Sequence, residues 1–297
     1  MIKMPGIMIE SDDVCLFVTE SCNSNCIMCP MSLDSRKRGN HMSAEQWQQI
    51  RVQIPQNTPH ITVTGGEPFL EHTYLIPTLE YISSSMPDTD VLILTNGRIL
   101  SIHSIFENLM PTITERFCFA IPIHAANTDL HDQITQSPGS FSQSIAALRM
   151  LKSTPAKIEI RIVAHQLNLN EINSTIRMLV DSGLRISVIN IIAMEITGCA
   201  ARNRSQLWVD YHDICKSSAA GINYAVRHAV PIGLYNFPLC CVPHEFWPLV
   251  KESITPSKVR YYDECKSCNE YTACGGLFYS TFGLGLCKIS PITGGKK

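Results

Sequence analysis

No run in the 297-residue chain is apolar for long enough to cross a membrane. The first ten residues carry one lysine, no apolar stretch of signal-peptide length and no small-residue cleavage site. Membrane insertion and export are therefore not expected, and a cytoplasmic location is. Charge is also sparse: charged residues make up 17% of the chain, the net charge is −2, and the longest basic run is Arg36-Lys37-Arg38. That run is too short for a nucleic-acid-binding stripe, so nucleic acid is excluded as an expected partner. Internal repeats and low-complexity tracts are lacking too, which argues against a solenoid or a disordered chain.

Cysteine, by contrast, is abundant, with thirteen residues. A secreted disulfide framework belongs to much shorter chains. In a reducing compartment, clustered cysteines bind metal or do redox chemistry, and scattered ones pack as small hydrophobes. Cys15, Cys118, Cys199 and Cys215 stand alone and read as core. The others fall into one group near each end.

Apolar runs rich in Val, Ile and Phe at residues 14–19, 61–64, 91–95, 117–123, 158–164 and 186–193 predict buried parallel strands. Helical segments are expected between them at 44–52, 74–84, 99–109, 141–152 and 171–181, the first opened by a Ser43/Gln46 capping box. This alternation predicts an α/β fold, a partial (β/α)6 TIM barrel over residues 1–225. From residue 226 to 297, Pro, Gly, Cys and aromatics replace the periodicity, which predicts a second region organised around something other than an apolar core. Residues 294–297 read as a frayed tail.

Cys22, Cys26 and Cys29 lie on the loop after the first expected strand, at the carboxyl end where β/α barrels do chemistry. Gaps of three and two residues let one loop offer three sulfurs to three irons of a cubane and leave the fourth iron open. A zinc would want a fourth ligand nearby, and only His41 is close in sequence. Gly65-Gly66-Glu67 ends the second expected strand and Asn96-Gly97 the third. Glycines permit close backbone approach, and a carboxylate complements an ammonium.

Together these motifs resemble the radical S-adenosylmethionine (SAM) superfamily. The resemblance implies that Cys22, Cys26 and Cys29 hold a [4Fe–4S] cluster whose open iron binds SAM. It further implies that Gly65, Gly66 and Glu67 meet the SAM amino group and that Asn96 lies near the cofactor. By the same analogy Arg161 and Glu195 meet the SAM carboxylate and ribose, a structural ion pair being the alternative. His124, past the fourth strand, is a candidate contact at the barrel mouth or else an interior residue.

Near the other end, Cys265, Cys268 and Cys274 have the spacing CxxCxxxxxC of soft metal ligands. A fourth ligand must come from elsewhere: Cys240 first, with Cys241 and Cys287 as competitors. The segment resembles the auxiliary-cluster extensions called SPASM and twitch. It departs from full SPASM in having Phe278 where that pattern has a further cysteine, so one auxiliary [4Fe–4S] cluster is expected, with structural zinc as the alternative.

Residues 120–132, 158–165, 194–202, 235–240 and 274–278, with Trp247-Pro248 and Ser253-Ile254, resemble the maturases of His-Xaa-Ser peptide systems, in the shorter HxsC-like form. That resemblance implies a ribosomally made precursor peptide as substrate, a paired radical SAM maturase, and an electron donor such as flavodoxin or ferredoxin. Peptide maturases often carry a winged-helix leader-binding domain before the barrel. Only 21 residues precede Cys22 here, so recognition is expected from the barrel mouth, the cysteine-rich region or the partner. A radical SAM enzyme of small-molecule cofactor biosynthesis and a non-catalytic iron–sulfur subunit are the alternatives.

Overall fold

The computed structural model describes residues 5–10, 13–252 and 256–294. Ser253 and Ile254, and residues 295–297 of the expected tail, lie outside the described residues. A nine-stranded sheet runs in sequence order: β1 (Gly6–Glu10), β2 (Asp13–Phe17), β3 (His60–Thr64), β4 (Asp90–Leu94), β5 (Phe117–Pro122), β6 (Lys157–Ala164), β7 (Val188–Ala193), β8 (Ile232–Tyr235) and β9 (Val250–Lys251). β1 is antiparallel to β2, and every later neighbour is parallel. Among the described residues no pairing joins the two edges, so the α/β fold is an open, partial barrel.

β2 to β7 are the six expected strands, and alternation explains their two faces. Val14, Ile61, Ile93, Phe119, Ile160 and Ile191 are buried against the helices. Their neighbours Cys15, Thr62, Leu92, Cys118 and Arg161 point the other way and are half-buried around the concave face. The expected helices form at Ala44–Gln53, His72–Ser85, His103–Leu109, Ser140–Leu151 and Ile172–Asp181. The capping box is present: Gln46 N donates to Ser43 Oγ at 3.2 Å, and Ser43 N to Gln46 Oε1 at 2.7 Å.

Two features depart from the sequence reading. The sheet continues past residue 225 into β8 and β9, so the cysteine-rich region begins inside the same sheet. A helix at Tyr211–Arg227, not foreseen, packs on Ile172–Asp181. Its contact face is made of small residues: Gly221 N donates to Asn173 Oδ1 and Asn173 Nδ2 to Ser217 O, both at 2.6 Å. The helix also carries an apolar stripe, Tyr211, Ile214, Cys215, Ile222 and Ala225, buried in the main core at helical spacing, which the sequence reading missed. No described helix is long and apolar enough to cross a membrane.

At the barrel mouth, fully buried Asn168 ties two strand ends together. Its Oδ1 accepts from His165 N at 2.9 Å, and its Nδ2 donates to His124 O (3.1 Å) and Val163 O (3.0 Å). Asn168→Leu would leave three buried backbone groups unpaired. Each costs about 1–3 kcal/mol, so a loss of at least about 3 kcal/mol in urea unfolding is expected, and an unchanged midpoint would contradict this role.

Candidate active site

The cysteine loop leaves β2 and is pinned at three places. At its start, Gly66 N donates to Thr19 O at 2.6 Å and Glu67 N to Ser21 O at 2.8 Å. In its middle, Asn25 N and Ile27 N donate to Thr135 O and Ile134 O, at 2.9 and 3.0 Å, on the helix Thr128–Thr135. At its end, Cys29 O accepts from Cys199 N at 2.9 Å. Met28 between the thiols is buried with Ile134, Met194, Ile196 and Leu207 in a small apolar cluster of its own. The loop is thus held by backbone bonds and one apolar anchor, leaving its cysteines only partly buried.

The glycine pair has a role the sequence reading did not foresee. A Cβ on Gly66 would lie 2.0 Å from Ser21 O, and one on Gly65 2.6 Å from Thr19 O. The space is filled by the cysteine loop's own backbone, so glycine is required there before any ligand arrives. Glu67 is likewise enclosed by protein, with 0% exposure. Its carboxylate accepts from Thr95 Oγ1 (2.7 Å), Asn96 N (2.8 Å) and Phe69 N (3.1 Å). Burial pushes its pKa up, against the pull of those three donors.

Asn96 reaches back to the cysteine loop, its Nδ2 lying 2.7 Å from Asn23 Oδ1 and 3.8 Å from Cys22 Sγ. Arg98, which the sequence reading missed, bonds Asn23 O and lies 3.0 Å from Ser24 Oγ. The segment after β4 therefore braces the loop that carries the thiols.

The donor set fits an iron–sulfur cluster. Burial raises Cys22 to about 11 and Cys26 to about 12, and lifts Cys29 as well. Such thiols become thiolates only with a bound cation to compensate them. Three thiols on one loop are one ligand short of the four that a structural zinc takes. One zinc needs all its sulfurs about 2.3 Å from one point. A cubane instead takes each thiolate on a different iron.

The other candidates divide. Arg161 Nε donates to Glu159 Oε1 at 2.7 Å on the concave face, and Glu195 pairs with Lys258 Nζ at 3.0 Å, so each has a protein ion-pair partner. His124 is interior, stacked on His131 with centroids 5.6 Å apart. His165 is fully buried, with neither ring nitrogen partnered among the described residues. Burial lowers His131 and His165 to about 4, and His124 also lies well below its ordinary range.

In the cysteine-rich region, Cys240, Cys265, Cys268 and Cys274 line one small cavity, joined by Tyr261 and Tyr271. Leu239 N donates to Cys274 Sγ and Ile292 N to Cys268 Sγ, both at 3.4 Å. Cys241 and Cys287 are buried outside that lining, with their sulfurs 3.8 Å apart. A hydrogen bond from the Cys241 thiol pulls Cys240 down to about 6. Burial raises Cys265 and Cys274.

Two outcomes test this description. Gly66→Ala forces apart the backbones that present the thiols, so a severe loss of reconstituted iron is expected, whereas Gly283→Ala, with open space around it, keeps the wild-type content. The buried imidazoles stay neutral when folded but protonate below about 6.5 when unfolded. Their stabilising contribution is full above pH ~6.5 and falls away as the solution is acidified toward about pH 4, by about 1.4 kcal/mol for each imidazole over each pH unit crossed. His165→Phe should flatten the fall in unfolding free energy between pH 7 and 5; parallel curves for variant and wild type would contradict it.

The geometry now stands beside known proteins. The AdoMet-dependent heme synthase of Methanosarcina barkeri is 24% identical over 169 residues, covering 56% of this chain and 46% of that protein. The antilisterial bacteriocin subtilosin biosynthesis protein AlbA of Bacillus subtilis is 24% identical over 169 residues, covering 57% and 36%. The chain thus spans less than half the length of these curated relatives. The structure of Streptococcus suis SuiB bound to precursor peptide SuiA superposes with a TM-score of 0.59 at 13% identity, covering 81% of this chain and 51% of SuiB, a likeness of fold. The sequence pattern of the radical SAM superfamily matches residues 16–179, more than half of the chain, beginning in β2 and taking in the three-thiol loop: the chain belongs to the radical SAM superfamily.

Proposed function

We propose that this protein is a radical SAM peptide maturase of the His-Xaa-Ser type. It would reductively cleave SAM, modify a ribosomally made precursor peptide by hydrogen abstraction, and hold an auxiliary [4Fe–4S] cluster on Cys240, Cys265, Cys268 and Cys274. The observation that carries this reading is the meeting of four cysteines, three from one short segment and one from 25 residues earlier, around one cavity on the same chain as the three-thiol loop. AlbA, named for bacteriocin biosynthesis, and SuiB, solved bound to a precursor peptide, support the peptide class.

A cluster held by Cys22, Cys26 and Cys29 would supply, with SAM, the one-electron reductive cleavage and hydrogen abstraction of radical SAM chemistry, and a second cluster on Cys240, Cys265, Cys268 and Cys274 would supply an electron acceptor. The chain's own work is positional. Cys22, Cys26 and Cys29 leave an iron free for SAM. Asn96 and Arg98 hold the loop still, and Glu67 locks the ends of β3 and β4 beneath it. Cys240, Cys265, Cys268 and Cys274 would hold the second centre, and four thiolate ligands would suit it to electron transfer. Recognition of the peptide falls to the barrel mouth, the cysteine-rich region or a paired maturase.

The heme synthase relative favours a second reading, a small-molecule substrate. Anaerobically reconstituted protein is expected to hold about eight irons, falling to about four when Cys22, Cys26 and Cys29 become Ala, and likewise for Cys265, Cys268 and Cys274. Reduced protein with SAM should release 5′-deoxyadenosine slowly. Adding a His-Xaa-Ser peptide and the paired maturase should raise coupled turnover. Four irons with stoichiometric zinc would remove the auxiliary cluster, and turnover of a small metabolite with indifference to every such peptide would replace the substrate class.

A further inference from the structure

We propose that Arg36 donates a hydrogen bond to the cluster held by Cys22, Cys26 and Cys29, and that Cys199 anchors Arg36 so that it raises the cluster's reduction potential. This rests on the three-thiol loop holding that cluster, and on nothing about the substrate. Arg36 lies on the short helix Leu33–Arg38 directly after the cysteine loop. The helix is fixed at both ends. Ser35 N donates to Ser32 Oγ at 3.0 Å, and Gly39 closes it at φ +58°, where a Cβ would lie 2.8 Å from Ser21 Oγ. Arg38 on the same helix is paired with Glu20. Arg36 has no carboxylate partner among the described ion pairs.

Its Nη2 instead donates to Cys199 Sγ at 2.7 Å. That thiol also donates to Met31 O at 3.3 Å. Cys199 is itself held by its backbone N–H on Cys29 O. Close approach is possible because the preceding residue is Gly198, at φ +53°, where a Cβ would fall 2.3 Å from Pro30 O.

What remains is Arg36 Nε, buried and without a partner among the described residues. A guanidinium cannot give up its charge, and a buried donor without an acceptor costs about 1–3 kcal/mol. Through Cys199 the guanidinium is tied to Cys29 O, on the loop that carries Cys22, Cys26 and Cys29. Sulfur acceptors carried by those residues would satisfy the orphaned N–H. Both the hydrogen bond and the positive charge favour the reduced state, which carries one more electron, so the potential rises. Cys199 is a positioning residue in this scheme, and it links the segment after β7 to the electronics of the loop after β2.

The test is a reductive titration with dithionite and mediators, following the electron paramagnetic resonance signal that SAM addition perturbs, with iron counted in every sample. Arg36→Met is expected to keep its iron and to lower the midpoint by about 60 mV, a tenfold change in a one-electron equilibrium. Arg36→Lys should recover part of the shift by restoring charge without the planar fork. Cys199→Ala, which keeps the guanidinium but frees its far end, should shift the midpoint the same way by less. If Arg36→Met cannot hold iron, Cys199→Ala decides, a lowered midpoint supporting the proposal and a wild-type one refuting it. Wild-type midpoints in all three variants would overturn it. Wild-type protein that loads no iron at the three-thiol loop would instead overturn the cluster assignment, and this proposal with it.

Discussion

Everything at the candidate active site depends on one close approach, that of the turn after β3 to the cysteine loop after β2. Two backbone hydrogen bonds, from Gly66 N to Thr19 O and from Glu67 N to Ser21 O, hold the strands' carboxyl ends together where the thiols emerge. The contact leaves no room for a Cβ on Gly66. Parallel neighbours do not by themselves join their loops; the ladder ends where the strands end. These two bonds extend the pairing of β2 and β3 beyond the sheet, so the loop inherits the sheet's rigidity. Precise ligands on a mobile loop would be spread over many geometries, and a site of this kind needs its supports locked.

Glu67 carries the same constraint one strand further. An ionised group taken wholly out of water is tolerated only when its oxygens are well bonded. Here Thr95, Asn96 and Phe69 supply the bonds, so the carboxylate acts as a staple between β3 and β4. Asn96 then returns to Asn23 and Cys22. The path closes on itself, β2 to β3 to β4 and back to the cysteine loop, and the residues that the family resemblance ties to the cofactor are already occupied in building that loop. Structural support and cofactor contact are not exclusive at such positions, because a backbone or side chain bonded on one side can still present its other side.

The legibility of this chain follows the physics of each part. Strands β2 to β7 were readable because one face of each packs under the helices and excludes water, which writes recurrent Val, Ile and Phe into short runs at regular intervals along the chain. The motif cysteines were readable because ligand spacing is local. Other parts carry no local signal. β8 has only four residues and β9 two. Arg98 and Cys199 matter through bonds across long sequence separations, and a lone cysteine reads as core until the chain is folded. Among the three competitors to complete the second thiol set, spacing could not choose. The fold places Cys240 in the cavity lining and Cys241 and Cys287 outside it, their sulfurs 3.8 Å apart.

That separation bears on how the cysteine-rich region is stabilised. Among the described residues past β9, its regular structure amounts to the two-residue strands Val259–Arg260 and Leu277–Phe278, one short helix and several single turns. Leu277 and Cys287 from these segments are buried in the main core, with Tyr262, Phe282 and Ile289 packed against it. Cys240 comes from just beyond β8, inside the sheet-bearing part of the chain, while Cys265, Cys268 and Cys274 come from the loops. A metal centre on all four would therefore cross-link the loops to the barrel, and the free energy of metal binding would become folding free energy for that region alone. The three-thiol loop is different in kind. It is pinned by backbone bonds to β3, to the helix Thr128–Thr135 and to the segment after β7, and has its own apolar anchor in Met28. One centre would be built by the fold it sits in, and the other would tie its loops to that fold.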